Sequence, residues 1–154
     1  MTHTSLCAAC VAAGREGCTD CGVRPPNPAT DIFAPPPAIF SDDRVYRYVL
    51  RRRIPIPVRV TGARKPLAIC GLNPSVANEE KNDPTITREI DFAQRWGCTD
   101  LIKVNAYGYV STDPKAMFRR KKKDHFDIVG PENDIYIVEA VQECIAHGGI
   151  FLVA

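Results

Sequence analysis

Long apolar runs are missing from this 154-residue sequence, so no membrane-spanning helix is predicted. No stretch approaches the roughly 18 consecutive apolar residues that such a helix needs. No Lys or Arg precedes Leu6 and no long apolar segment follows, so a secretory signal peptide is not expected either. The three His residues lack ligand spacing, and neither a P-loop nor a G-x-G-x-x-G motif occurs, so a catalytic metal is not indicated. A net charge of +2, from 20 basic and 18 acidic residues, is too balanced to indicate a nucleic-acid partner by itself.

Proline and cysteine, in contrast, are abundant. Six of the 13 prolines lie between Pro25 and Pro37, where they favour extended backbone without hydrogen-bond donors. We therefore expect a linker over residues 24–38, separating a Cys-rich head (residues 1–23) from a body (residues 39–154). The seven cysteines are an odd number, which argues against a fully paired disulfide framework. Unpaired thiols and the absent signal predict a cytoplasmic protein.

Four cysteines of the head follow a C-x2-C-x7-C-x2-C pattern, formed by Cys7, Cys10, Cys18 and Cys21. Two such pairs can surround one Zn²⁺ tetrahedrally, and a closed four-thiolate site is structural rather than catalytic. The seven-residue spacer is shorter than the usual zinc-ribbon spacing, which weakens the match. An iron–sulfur cluster, which four thiolates also suit, and a disordered Cys-containing tail are the alternatives. Cys70, Cys98 and Cys144 lie in apolar surroundings and are expected in the core.

The body alternates predicted strands with predicted helices. Strands are expected at 45–50, 67–70, 101–104 and 150–153, and segment 56–61, interrupted by Pro57, is at best an edge strand. The pairs Asp83-Pro84 and Asp113-Pro114 combine an N-cap with a first-turn proline, and a third helix follows Gly130. The third helix is expected to bury a stripe of Ile135, Val138, Val141 and Ile145. This order predicts an α/β fold with a largely parallel sheet and helices on both faces. A parallel sheet usually continues beyond such a last strand, so the domain is expected to be incomplete at Ala154.

Polar residues follow the ends of two predicted strands, where parallel α/β sheets bind ligands. The candidate substrate-binding residues are Gly71, Pro74, Ser75, Asp83, Arg88, Asn105, Thr112, Asp113, Asn133 and Asp134. Turn and capping chemistry explains many of the same residues equally well. Arg88 is expected to face the preceding loop and pair with Glu79, Glu80 or Asp83. The run Arg119, Arg120, Lys121, Lys122 and Lys123 suits contact with a nucleic-acid backbone, although a solvated loop is the common alternative.

Several of these segments together resemble a known family. The strand leading into GLNPS, the NDPT-x-x-R helix start, and the later VN, TDP and VGPEND segments are similar to the family called domain of unknown function 1643. The resemblance covers about residues 39–154. Members usually continue to a further segment rich in His and Pro, which this chain lacks. The Cys-rich head and the linker lie outside the family pattern.

The segment CGLNPS also resembles the GINPG segment of the mismatch-specific branch of the uracil-DNA glycosylase superfamily. This resemblance implies a three-layer, glycosylase-like fold and hydrolysis of a glycosidic bond on a flipped base. It also implies that Asn73 positions the attacking water. That superfamily closes its site with a later His/Asn-Pro-Ser segment that this sequence lacks.

Three functions follow from these features. The first is a hydrolase directed at a nucleobase in DNA, RNA or a nucleotide, with Asn73, Ser75, Asp83, Arg88 and Asn105 gathered at one rim. The second is a zinc-containing module that binds nucleic acid or protein without catalysis. The third is an inactive fragment with exposed apolar surface around residues 150–153. The sequence predicts no membrane partner and does not indicate an oligomeric state.

Overall fold

The computed structural model describes residues 36–55 and 63–154, which form five strands and three helices. The strands are β1 (Ala38–Phe40), β2 (Arg47–Arg53), β3 (Pro66–Gly71), β4 (Asp100–Asn105) and β5 (Ile150–Val153). The helices are α1 (Pro84–Arg95), α2 (Pro114–Asp124) and α3 (Asn133–Ala146). The strands join in one sheet with the order β1-β2-β4-β3-β5. The predicted mixture of strands and helices is therefore confirmed. The predicted edge strand at 56–61 lies outside the described residues.

The expectation of a largely parallel sheet is wrong, because the sheet is mixed. β3 pairs in parallel with β4 and with β5, but β2 runs antiparallel to β4 and β1 runs antiparallel to β2. The physical reason lies in the connections. A short loop without a helix joins β1 to β2, and such a loop permits only antiparallel pairing, whereas α1 provides the long crossover between parallel strands β3 and β4.

Helix α1 begins and ends where the sequence predicts. The Asp83 carboxylate accepts a hydrogen bond from the Ile86 backbone N–H at 2.9 Å, Pro84 occupies the first turn, and Gly97 follows the helix at φ = 65°. A positive φ is easy for glycine and costly for other residues, which explains the stop. The helix buries Ile86 and Ala93, as expected, and also the charged residue Glu89.

Helix α3 buries a different face from the one predicted. Three members of the expected stripe, Ile135, Val138 and Ile145, are exposed. The buried positions are Asn133, Ala140 and Cys144. Small side chains at the last two positions let the helix approach the sheet closely, so residue size outweighed the hydrophobic pattern.

The core occupies both faces of the sheet. Leu50, Leu67 and Leu101 pack with Ile86 and Ala93 of α1 on one face, whereas residues of the other face pack against α3. The free cysteines Cys70, Cys98 and Cys144 are buried, as the sequence predicted.

The two edge strands of the sheet lie at the end of the predicted linker and at the predicted last strand. Ala38 already pairs with Leu50, so β1 begins inside the predicted linker, whose residues 24–35 lie outside the described part of the chain. At the opposite edge, Val153 of β5 is 80% exposed. No described helix is long and apolar enough to cross a membrane.

Candidate functional site

A polar cavity of about 230 Å³ lies at the carboxyl ends of β3, β4 and β5. Its walls come from the ends of these strands, the start of β2, the loop after β3 and the first turns of α1. The lining residues are Arg47, Gly71, Leu72, Asn73, Ser75, Asp83, Thr85, Ile86, Glu89, Lys103, Asn105 and Ala154. Five residues predicted from the sequence therefore meet there: Gly71, Asn73, Ser75, Asp83 and Asn105.

Arg47 reaches this cavity because of an irregularity in β2. Ile39 pairs with Val49 and Phe40 pairs with Arg47, so β2 advances by two residues while β1 advances by one. Such a β-bulge re-aims the side chains that follow it. Arg47 consequently lies on the side of the sheet that packs against α1, and its Nη1 donates a hydrogen bond to the Ala77 carbonyl oxygen of the loop after β3 at 2.6 Å. Burial lowers the pKa of Arg47 to about 10, against the opposing charges of Asp83 and Glu89, so Arg47 is still a cation near neutral pH.

A buried ion pair forms the floor of the cavity. Lys103 of β4 donates from Nζ to Glu89 Oε1 of α1 at 2.5 Å, and both side chains are at most 10% exposed. Among the described residues, Glu89 Oε2 has no hydrogen-bond partner. Burial raises the pKa of Glu89 more than the hydrogen bond from Lys103 lowers it, because a carboxylate loses its water inside the protein. The Glu89 carboxylate is thus a stronger base than usual, and its Oε2 has no partner among the described residues beside the cavity.

The absence of a side chain at Gly71 makes room for two polar groups. A Cβ atom there would lie 2.7 Å from Lys103 Nζ and 3.1 Å from Asn105 Oδ1. Asn105 is 1% exposed, and neither Nδ2 nor Oδ1 of its amide has a partner within residues 36–55 and 63–154. A buried amide without partners is costly, so this one is suited to bind a ligand.

Asn133 positions Asn105 from behind the strand. It is fully buried, and its Nδ2 donates to the Asn105 carbonyl oxygen at 2.9 Å. The backbone of Gly108 passes so close that an added Cβ would lie 3.2 Å from Asn133 Oδ1. Asn133 therefore fixes the end of β4 rather than lining the cavity.

Asn73 ties the loop after β3 to the loop after β4. Its Nδ2 donates to the carbonyl oxygens of Pro74 at 3.0 Å and Ser111 at 2.7 Å, and the Ser111 N–H donates to the Pro74 carbonyl oxygen at 2.9 Å. The side-chain nitrogen of Asn73 is thus used within the protein. Pro74 contributes to this connection rather than to the cavity wall.

Four other predicted residues are exposed outside the cavity: Arg88, Thr112, Asp113 and Asp134. Arg88 lies on the solvent side of α1, and the expected partner Glu79 instead binds Arg44 at 2.9 Å. Asp113 caps α2 by accepting a hydrogen bond from the Lys115 backbone N–H at 2.8 Å. Helix capping, the alternative left open by the sequence, accounts for this residue.

The five basic residues predicted to contact a nucleic-acid backbone lie on α2, and all are exposed. Arg119 pairs with Asp113 at 3.3 Å. The Arg120 guanidinium stacks 4.0 Å from the Phe126 ring centre and donates to Tyr109 Oη at 2.6 Å. Lys121 Nζ lies 6.0 Å from the Tyr107 ring centre.

Three charged residues of the cavity were missed by the sequence analysis: Arg47, Glu89 and Lys103. Two of them carried a visible signal. Lys103 interrupts the apolar strand Leu101–Val104, and Glu89 lies three residues after Ile86 and four before Ala93, on the buried stripe of α1. A charge at a predicted core position is the pattern that could have identified both. Arg47 depends on the β-bulge, which the sequence did not reveal.

The predicted zinc ligands Cys7, Cys10, Cys18 and Cys21 lie outside the described residues. Within the described part, no cluster of three or more His, Cys, Asp or Glu residues is arranged to hold a metal ion.

Fold and cavity together define a mixed α/β protein with a buried polar pocket at the carboxyl ends of its parallel strands. Residues 47–151 match the family model described as a protein of unknown function, DUF1643. The chain belongs to this family, as the sequence resemblance predicted. No curated protein and no solved structure matches the chain, so the similarity to the uracil-DNA glycosylase superfamily stays a prediction.

Proposed function

We propose that the cavity binds a nucleobase and that the protein hydrolyses its glycosidic bond. The observation that carries this proposal is the buried amide of Asn105, which has both a donor and an acceptor without partners in the described structure. Nucleobases present adjacent N–H and C=O groups, and an Asn amide can bond both at once.

The charges around the cavity favour a neutral ligand. Arg47 and Lys103 contribute two positive charges, and Asp83 and Glu89 contribute two negative charges. A buried phosphate would add charge that these residues already balance among themselves, at a high desolvation cost. A base without its phosphate fits this balance. The phosphates of a nucleotide would then remain outside the cavity.

The carboxylate of Glu89 supplies the chemistry. In the proposed reaction, its Oε2 takes a proton from a water molecule as the water oxygen bonds to C1′ of the sugar. The C1′–N bond breaks, and the base leaves with the bonding electrons, stabilised by the positive charge of Lys103 or Arg47. A proton from solvent or Glu89 then neutralises the base. The side-chain oxygen of Asn73 is suited to orient the water, since its nitrogen is already used.

The direct test measures base release from oligonucleotides that contain uracil, hypoxanthine, xanthine or a thymine opposite guanine, by strand cleavage in hot alkali. We expect release of at least one base. Glu89→Gln keeps the shape of the side chain but should lower the rate about 10²- to 10⁴-fold, the usual contribution of a general base. Arg88→Gln, one residue earlier and exposed, is the matched control.

Two results would overturn this function. One is the absence of release of all four bases by folded wild-type protein. The other is a wild-type rate for both Glu89→Gln and Asn105→Ala, since this would place the reaction elsewhere. Circular dichroism of each variant separates lost chemistry from lost folding.

The alternative is a module that binds nucleic acid or protein without catalysis and carries a structural zinc ion in its head. The C-x2-C-x7-C-x2-C spacing supports the zinc site. We expect one Zn²⁺ per chain by metal analysis, lost in Cys7→Ser/Cys10→Ser but retained in the control Cys98→Ser. A metal-free wild-type protein would refute the zinc site. Binding of oligonucleotide without any base release would favour the module over the hydrolase.

A further inference from the structure

We infer that the solvent-facing side of α2 next to the cavity binds single-stranded nucleic acid, so that the base enters the cavity from a strand rather than from a free nucleotide. The surface, called the α2 face below, consists of Phe118, Lys121 and Lys122 of α2 together with Tyr107 from the loop after β4. The inference rests on the proposed function for the role of the cavity, but the binding surface itself is argued from separate residues.

The aromatic part of the α2 face adjoins the cavity wall. The backbone N–H of Tyr107 donates to the carbonyl oxygen of Leu72 at 2.9 Å, and Ala106 donates to Gly71 at 2.8 Å. Gly71 and Leu72 both line the cavity. The Tyr107 ring meets the Phe118 ring edge-on, with centres 5.3 Å apart. Phe118 is 41% exposed, so this ring pair reaches the surface on a segment whose backbone is bonded to the cavity wall.

Lys121 and Lys122 extend this surface with positive charge. They follow Phe118 by three and four residues, a spacing that places all three on one side of a helix. Arg119 and Arg120 differ, because Asp113 pairs with the first and the rings of Phe126 and Tyr109 hold the second. The basic run therefore divides into two arginines held by an ion pair or a hydrogen bond and two lysines beside an exposed ring, of which Lys121 lies 6.0 Å from the Tyr107 ring centre.

An aromatic ring beside cations favours single strands over duplexes. Lysines alone would attract the phosphates of both, but a ring can stack only on a base whose faces are free. The bases of a duplex are stacked on one another. A strand whose phosphates contact Lys121 and Lys122 could stack one base on Phe118 while presenting the next to the cavity.

Fluorescence anisotropy with a labelled twelve-nucleotide oligothymidylate, compared with a hairpin duplex, tests this surface. We expect tighter binding of the single strand. Phe118→Ala should weaken it about 5- to 150-fold, the equivalent of ~1–3 kcal/mol for one stacked base. Lys121→Gln/Lys122→Gln should make the slope of log K against log salt concentration shallower by about 1.4. This is roughly 0.7 for each phosphate that is no longer neutralised. Arg88→Gln/Arg95→Gln removes the same charge from α1 and should leave binding nearly unchanged.

The inference is overturned if the duplex binds as tightly as the strand, if Phe118→Ala binds like wild type, or if both double variants lose equal affinity. Its failure differs from a failure of the proposed function. Binding of the single strand without base release would support the binding surface and contradict the proposed hydrolase. Base release that is unaffected by Phe118→Ala and by the lysine substitutions would support the hydrolase and contradict the role of the binding surface.

Discussion

The two ends of the sheet each bring two cations together with two carboxylates, but in the described part of the chain only the amino end binds both oxygens of its central glutamate. The amino ends of β3 and β4 hold Arg51, Arg64, Asp100 and Glu143, and the carboxyl ends hold Arg47, Asp83, Glu89 and Lys103. With equal formal charge, the two clusters differ in how their polar atoms are paired.

At the amino end, the charged groups bind one another, and of their buried atoms Nε of Arg51 has no partner in the described residues. Arg51 contacts both carboxylate oxygens of Glu143, at 3.0 and 2.9 Å, and Arg64 joins Glu143 to Asp100. Thr99 also donates to Asp100 at 2.6 Å. Such bidentate contacts are the geometry in which ion pairs hold elements together. This cluster attaches α3 to the start of the parallel strands.

At the carboxyl end, several atoms have no partner in the described residues. These are Nε of Arg47, Oε2 of Glu89, and both polar atoms of the Asn105 amide. Buried groups of this kind destabilise a fold unless something else binds them. The difference teaches that charge content alone does not distinguish a structural cluster from a candidate site, whereas unpaired buried atoms beside a cavity do.

The largest expected effect comes from breaking the buried pair at the carboxyl end. Lys103→Met should lower the free energy of unfolding by about 3–5 kcal/mol, because the buried Glu89 carboxylate is left without its cation. Urea denaturation of the wild type and variant measures this loss.

The double variant Lys103→Met/Glu89→Leu is the control for this prediction. Removing both charges should recover most of the lost stability, since well-packed apolar groups often replace a buried pair without cost. A single variant as stable as the wild type would show that this pair is not buried as described.

A smaller effect is expected at the amino end. Glu143→Gln removes the charge that binds Arg51 and Arg64, and hydrogen bonds to charged groups are worth about 1.5–3 kcal/mol. Partial exposure of Arg64 places the expected loss toward the lower value. A loss equal to that of Lys103→Met would erase the contrast between the ends.

Acid should move the two ends in opposite directions. Burial acts to raise the pKa of Glu143, but the hydrogen bonds from Arg51 and Arg64 outweigh it, so this pKa lies below the ordinary value. Its stabilisation is therefore complete above the unfolded pKa, near 4.3, and is lost as the pH falls toward the folded pKa. Glu89 has a raised pKa, so its protonation stabilises the folded state as the pH falls through that pKa.

Stability measured from pH 7 to pH 3 separates these contributions. Glu143→Gln should flatten the loss below about pH 4.3, and Glu89→Gln should remove the gain at higher pH. Identical curves for the wild type and both variants would contradict the opposite shifts.

Occupation of the cavity should give a still smaller effect. A free nucleobase at ten times its Kd should stabilise the protein by about 1.4 kcal/mol, as binding to the folded state alone requires. Thermal unfolding with and without the base measures this, and Asn105→Ala should abolish the shift. An equal shift in that variant would mean that the base binds elsewhere.

Local signals in the sequence predicted much of the fold. The Asp83-Pro84 start of α1, the apolar strands β3 and β4 and the buried cysteines all depend on neighbouring residues. Strand direction was not predictable in this way, because it depends on which strands become neighbours. Likewise, the buried face of α3 depends on how closely Ala140 and Cys144 let it approach, and Arg47 depends on a bulge formed with β1.

Four of the ten predicted substrate-binding residues line the cavity, namely Gly71, Ser75, Asp83 and Asn105. For two of them the reason is their position at strand ends. Asn105 and Gly71 are register partners at the ends of β4 and β3, so parallel pairing brings them together. The prediction for Arg88 is wrong because the helical period places Arg88 on the solvent side of α1 and Glu89 on the side facing the sheet. Substitutions of Arg88 and Glu89 therefore test, with the smallest change in position, whether the unpaired atoms at the carboxyl end mark the binding site.

Arg88→Gln should change the free energy of unfolding by less than about 0.5 kcal/mol, because this side chain is exposed. It should also leave the stabilisation by a bound nucleobase unchanged. Glu89→Gln introduces the same residue at the next position. It should alter both the pH dependence of stability and the increase in unfolding temperature that a bound nucleobase causes. Thermal unfolding of the two variants in parallel, with and without base, gives the comparison. If Arg88→Gln reduced the shift as much as Glu89→Gln, the ligand would contact the solvent side of α1. The unpaired atoms at the carboxyl end would then no longer mark where it binds.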